Sequence, residues 1–233
     1  MNKLATQAGS PNYGEDAMSN PASTRTRVKI CGITNRQDAS DAVELGADAL
    51  GFNTYRGSKR FIDLEKEAVW IGSLPPFVTK VAVMANPTVT QAEAVFRLPF
   101  IDMVQFHGDE DEQFCAHFAR LGLPFIKAVA VKNATSLKDL GRFGTRYILI
   151  DAYSAAEFGG TGQRIDEGLL EHCSRICEDN IHLILSGGLN PSNVRAAIER
   201  VRPCAVDVAS GVETLPGRKG KLLMRDFILA VAR

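Results

Sequence analysis

Eight short runs rich in Val, Ile, Leu and Ala, each followed by a stretch of helical periodicity, narrow the possible folds of this chain more than any other feature. The runs fall at 28–31, 49–52, 79–84, 103–106, 125–130, 147–150, 181–185 and 205–208. Helical patterns follow at 35–45, 64–73, 90–96, 111–121, 135–140, 165–177, 193–200 and 221–231. Strands that are apolar along their whole length are buried on both faces, which is what a parallel sheet covered by helices demands. Eight such units in strict alternation predict an α/β fold closed into a single (β/α)8 TIM barrel over 28–233, with a doubly wound open sheet as the alternative. Residues 1–27 hold Gly, Ser, Asn, Pro and Thr with little apolar periodicity, and they read as a disordered N-terminal extension.

Composition enters by exclusion. With 27 basic and 27 acidic residues and a pI near 6.9, the chain carries no global field to gather nucleic acid or an anionic membrane surface. A small anionic ligand must therefore be held locally. Five widely spaced cysteines without an apolar leader point to a reduced, cytoplasmic setting rather than a disulfide framework. No apolar run approaches the roughly 18 residues of a transmembrane helix. Cys173 and Cys177 could share a helix face, but no second pair at zinc-ligand spacing follows, so no metal site is expected.

In such a barrel the strand carboxyl ends and the loops after them build the active site. The first strand delivers Cys31, followed by Gly32 and a helix start whose Thr34 and Gln37 have capping-box spacing. A helix N-terminus beside a thiol favours thiolate, and Lys29 is a further source of positive potential; a cysteine next to Ile30 can equally be a small buried hydrophobe. The sixth strand ends in Asp151, which at a barrel rim makes a general-acid partner for a general-base Cys31, although a carboxylate there can also be a turn or cap residue. Of the second loop's charges, Lys59 and Arg60, Arg60 has the forked donors that suit a substrate carboxylate. His107, before a glycine at the fourth strand end, is the functional histidine to expect, with a structural role as the alternative; His117, His172 and His182 read as structural. Gly187 and Gly188 after strand seven, with Ser210 and Gly211 after strand eight, let backbone N–H groups approach an anion, and barrels frequently bind phosphate at these two loops. A glycine-rich stretch at 158–162 reads as a mobile loop over the site or as a passive connection, and it lacks the Lys-Ser or Lys-Thr of a P-loop.

Seven motifs share one family's order and spacing. Lys29-Ile30-Cys31-Gly32-Ile33-Thr34, the 46–52 segment, Ser58-Lys59-Arg60-Phe61-Ile62, the 105–110 segment, Gly159-Gly160-Thr161-Gly162, the 186–191 segment and the 207–213 segment resemble the phosphoribosylanthranilate isomerases of tryptophan biosynthesis. The resemblance runs from Val28 to the chain end. It implies a cofactor-free Amadori rearrangement of N-(5-phosphoribosyl)anthranilate to 1-(2-carboxyphenylamino)-1-deoxyribulose 5-phosphate. Asp151 is then the acid that opens the furanose ring and Cys31 the base that takes the C2 proton. Arg60 holds the anthranilate carboxylate, while His107, Gly187, Gly188, Asp207, Ser210 and Gly211 bind the rest of the substrate. The partner implied is a small phosphorylated molecule, with no nucleic acid or membrane, and the protein acts as a monomer or homodimer. The second loop departs from the family, which more often has an aromatic residue and Ser-Pro-Arg here. Two other readings stand beside this one. One is an isomerase of another phosphoribosyl compound, as in histidine biosynthesis, where a carboxylate replaces the cysteine; the other is a non-catalytic ligand-binding barrel.

Overall fold

A computed structural model describes residues 25–131, 133–152, 173 and 181–232. The expected extension up to residue 24, the 158–162 loop and the helix at 165–177, apart from a buried, helical Cys173, lie outside the described residues. Eight parallel strands close in sequence order: β1 (Arg27–Cys31), β2 (Ala49–Asn53), β3 (Thr79–Met84), β4 (Met103–Phe106), β5 (Phe125–Val131), β6 (Tyr147–Ala152), β7 (His182–Leu185) and β8 (Ala205–Val208). β8 pairs back onto β1, so the open-sheet alternative is excluded. Two residues before residue 28 are tied to the barrel: Arg25 pairs with Asp48, and the Thr26 hydroxyl donates to the Pro203 carbonyl.

Helices α1 (Arg36–Glu44), α2 (Ala68–Gly72), α3 (Val89–Phe96), α4 (Glu112–Arg120), α5 (Val194–Val201) and α6 (Lys221–Ala232) are described outside the sheet. Strand alternation sorts the core into two bodies. Outward-facing Ile30, Leu50, Phe52, Val104, Phe106, Ile148, Ile150, Leu185 and Val206 pack under the helices with Ala39, Ala42, Ile71, Phe118 and Phe227. Inward-facing Val81, Ile126, Ala128, Leu149 and Ile184 plug the barrel interior together with Ala49, Met103 and Ala205. At roughly 25 cal/mol per Å², each large side chain so buried contributes about 1.5–3 kcal/mol. The plug floors the interior, and the polar inward positions stand above it.

Local chemistry corrects several expectations. α1 is capped by Asn35, whose side chain accepts from the Asp38 N–H at 2.9 Å, and the Thr34–Gln37 box does not form. Thr34 instead donates to the Gly217 carbonyl at 2.6 Å. A capping box exists at α3, between Thr88 and Gln91. The helix expected at 135–140 is two 3₁₀ turns, Ala134–Leu137 and Leu140–Phe143, because Asp139 between them takes a left-handed φ of 50°. After β8 the chain makes a 3₁₀ turn and a small hairpin, β9 (Glu213–Leu215) with β10 (Arg218–Lys219), before α6 begins.

Candidate active site

The thiol is placed by strand register. Lys29 and Cys31 share the inward face of β1, where Lys29 lies beside Asp207 of β8 and Cys31 beside Gly51 of β2. Lys29 Nζ donates to Asp207 Oδ1 at 2.7 Å, and its charge acts on the Cys31 sulfur. The side chains of Lys29 and Asp207 are only 4 % and 5 % exposed. The Ser186 hydroxyl faces the second Asp207 oxygen at 3.4 Å. A β-carbon at Gly51 would stand 2.7 Å from the sulfur and 3.1 Å from Nζ, so only glycine leaves room for both.

Electrostatics at the thiol run against one expectation. Burial pushes the Cys31 thiol above its ordinary value; Lys29 pulls it down, Asp207 adds to the rise and Lys219 opposes it. A sulfur inside a barrel loses more hydration than its neighbouring cation returns. Burial therefore works against the thiolate that a helix N-terminus would favour, with the Lys29 ammonium opposing it. Burial also works against the Lys29 charge, yet Asp207 and Cys31 hold that ammonium above its ordinary range.

Asp151 closes the inward face of β6 and is buried. His107 Nε2 lies 3.3 Å from Asp151 Oδ2, and His107 Nδ1 lies 2.7 Å from Gln105 Nε2. With the amide donating to Nδ1, the ring proton sits on Nε2 and faces the carboxylate. The functional histidine thus meets the expected acid. His117 pairs with Glu93 at 3.0 Å, and His182 stacks on Tyr147 with ring centroids 5.2 Å apart, both away from this site.

Arg60 reaches the cavity already oriented. Its Nε and Nη2 donate to the two Glu213 oxygens, each at 2.8 Å, and Lys219 Nζ donates to the same carboxylate at 2.9 Å and to the Ala209 carbonyl at 3.0 Å. Glu213 and Lys219 arrive on the β9–β10 hairpin. Burial pushes the Glu213 carboxyl up, but Arg60 and Lys219 outweigh it and hold it below its usual range. Gly32, at φ +77°, lets the Arg60 stem cross β1, because a β-carbon there would overlap it.

Cys31, Arg60, His107, Asp151, Gly187, Gly188, Asp207 and Ser210 line one cavity of about 320 Å³ at the strand carboxyl ends. Gly187 and Gly188 have φ of 94° and 63°, conformations that glycine adopts without a β-carbon clash. Asn193 pins this loop, with its amide donating to the Gly188 carbonyl at 2.9 Å and accepting from the Asn190 N–H at 2.8 Å. Gly211 stands behind the lining: a β-carbon there would overlap the Leu189 carbonyl, so this glycine lets the loops after β7 and β8 pack on each other. Among the described residues no group of His, Cys, Asp or Glu is placed to hold a metal ion.

A family model described as N-(5'phosphoribosyl)anthranilate (PRA) isomerase matches residues 28–230. The chain belongs to the phosphoribosylanthranilate isomerase family. A relative named N-(5'-phosphoribosyl)anthranilate isomerase, from Geobacter metallireducens, is 42% identical over 202 residues, covering 87% of this chain and 96% of its own. A phosphoribosylanthranilate isomerase solved with reduced 1-(o-carboxyphenylamino)-1-deoxyribulose 5-phosphate superposes with a TM-score of 0.74 at 39% identity, covering 89% of this chain and 98% of that one. A structure of monomers derived from the dimeric Thermotoga maritima isomerase gives a TM-score of 0.74 at 36% identity, with the same coverages.

Within this phosphoribosylanthranilate isomerase barrel, motif reading overlooked three residues. Gly51 had a usable signal, since a glycine inside an apolar strand marks a close approach. Glu213 stood in a motif without a role, and Lys219 had no signal: only the hairpin brings either to Arg60.

Proposed function

We infer that this protein catalyses the Amadori rearrangement of N-(5-phosphoribosyl)anthranilate, the isomerisation its family carries out in tryptophan biosynthesis. The observation that carries the reading is the gathering of Cys31, Asp151, Arg60 and the loop-seven glycines around one cavity. In this scheme the phosphate lies against the peptide N–H groups of the Gly187–Gly188 loop and Ser210, where glycine backbone approaches an anion most closely. Arg60, held by Glu213, meets the anthranilate carboxylate, and Asp207 and His107 face the sugar.

Asp151 gives its proton to the furanose ring oxygen; the C1–O bond breaks and the aniline nitrogen's lone pair forms the Schiff base. Ionised Cys31 then takes the C2 proton, and the electrons of that C–H bond become the C1–C2 double bond of an enolamine while the iminium π pair returns to nitrogen. Tautomerisation of the enolamine gives the ketone. The acid ends as carboxylate and the base as thiol, so exchange with water resets both. His107 positions Asp151 for the first step through its Nε2 contact.

Positioned acids and bases contribute about 10²–10⁴-fold each. Cys31→Ser and Asp151→Asn are accordingly expected to lower kcat by that much while leaving the thermal melt near wild type. Steady-state assays on the purified variants, with complementation of a tryptophan auxotroph lacking the isomerase, check this; unchanged turnover in either variant removes its assigned role. The proposal extends to a cytoplasmic enzyme that is a monomer or a homodimer, which light scattering after size-exclusion chromatography resolves. No helix among the described residues is long and apolar enough to cross a membrane.

A further inference from the structure

The scheme above gives no task to the buried charge of Lys29. Lys29 lies inside the barrel, one strand from Asp207 and two residues before the thiol, above the apolar plug of Val81, Ile126, Leu149 and Ile184. Apolar side chains of similar size generally fill such a position at lower energetic cost than an ion pair. The charge stands where a sulfur has to ionise.

We infer that Lys29, anchored by Asp207, is the positioning residue that stabilises the ionised form of Cys31 and thereby sets the pH range over which the isomerase works. This rests on the assignment of Cys31 as the base. Three features of the geometry support it. The β1–β8 register fixes Lys29 against Asp207, so the ammonium cannot swing away from the sulfur without leaving a buried carboxylate behind. Gly51 gives Nζ and the sulfur a shared space free of any side chain. Of the charged groups acting on the sulfur, Lys29 comes from β1, Asp207 from β8 and Lys219 from the hairpin, while β2 presents only Gly51. Lys219 is committed to Glu213 and the Ala209 carbonyl, and Arg60 pairs with Glu213, so Lys29 is the cation that shares the space beside Gly51 with the sulfur. The arrangement suits both states of the cycle. With the sulfur protonated, Asp207 alone balances the ammonium; with the sulfur ionised, the same ammonium meets the new charge.

The test compares Lys29→Met with wild type by two readouts: the pH dependence of kcat/KM, and the pH dependence of iodoacetamide alkylation at Cys31 followed by peptide mass spectrometry. The expected result is an ascending limb moved to higher pH by about one unit or more in both, with about tenfold lower kcat/KM near neutral pH. Alkylation needs no substrate, so it reads the thiol even if the isomerase assignment were wrong. Because Lys29→Met leaves Asp207 buried without its cation, the double variant Lys29→Met/Asp207→Asn is measured alongside. Its shift is expected in the same direction but smaller, since Asp207 itself disfavours the thiolate. Superimposable pH profiles of wild type and either folded variant, whatever happens to kcat, would overturn the role and leave Lys29 as packing.

Discussion

Lys29–Asp207 and Lys127–Glu110 are both buried lysine–carboxylate pairs, and burial does not tell them apart. The side chains are 4 % and 5 % exposed in the first pair and 3 % and 2 % in the second. Direction and hydrogen bonding do. Lys29 points into the barrel, whereas Lys127, between the inward Ile126 and Ala128 of β5, points out toward the turn after β4 and the Phe143 ring. Lys127 Nζ donates to Glu110 at 2.8 Å, to the Gly108 carbonyl at 2.8 Å and to the Ala128 carbonyl at 2.9 Å, which commits all three ammonium hydrogens. Glu110 in turn accepts from the Asn86 N–H at 2.8 Å and from the Gly108 N–H at 3.0 Å. That pair is saturated, and it staples the turn that carries His107. Lys29 meets one carboxylate and stands beside one sulfur, which in the proposed mechanism changes charge during turnover. What a buried ion pair does in this barrel is thus decided by what else its hydrogens touch.

The largest effect expected from this contrast is on stability. Lys127→Met leaves the Glu110 charge buried without its cation, and such a break costs about 3–5 kcal/mol in urea unfolding. Removing both partners does not restore the loss. In Lys127→Met/Glu110→Leu the Asn86 and Gly108 N–H groups lose their acceptor, at about 1–3 kcal/mol each. A double variant as stable as wild type would show that the pair is not a staple.

A smaller effect, on activity, is expected at Gly51. In Gly51→Ala the new methyl group must displace either the sulfur or Nζ, which it would approach at 2.7 and 3.1 Å. A shift of that size at a reacting atom costs on the order of 10–100-fold in kcat. Crowding the packed interior costs stability as well, about 1–3 kcal/mol. A kcat within twofold of wild type would mean that Lys29 and Cys31 do not depend on the space Gly51 leaves, and the contrast with the staple would lose its geometric basis.

Much of this contrast was legible before any coordinates, and the rest was not, for physical reasons. The eight strands were readable because each is a near-continuous apolar run, and β3, β4 and β8 fall on the expected residues. Cys31, His107 and Asp151 were readable because a strand end in a barrel has one place to go. The Lys29–Asp207 pair was not, since it depends on closure between the first and last strands and on their register. Glu213 and Lys219 were hidden by a two-stranded hairpin where an uninterrupted loop was expected. The thiol's ionisation was not readable because a sequence shows nearby charges but not the burial that opposes them.

The smallest effect separates two thiols, one beside each pair. Burial pushes the Cys115 thiol up to about 11; Lys127 pulls it down, while Glu110 and Asp111 push it further up. Cys31 moves in the same direction, but its lysine shares the space beside Gly51 with the sulfur. Both thiols are raised in the folded state, so their contribution to stability is complete below the ordinary thiol value of 9.0 and is lost as pH rises above it, for Cys115 toward about 11. Urea midpoints are expected to fall across that window, and Cys115→Ala is expected to flatten the slope even though its cavity lowers stability at every pH. Alkylation separates the pair at one pH. Near pH 9, iodoacetamide is expected to modify Cys31 well before Cys115 in the folded protein, because a cation in contact stabilises the thiolate and one whose hydrogens are spent elsewhere does so only at a distance. Faster modification of Cys115 would mean that access alone governs both thiols, and the distinction between a coupled lysine and a saturated one would fall with it.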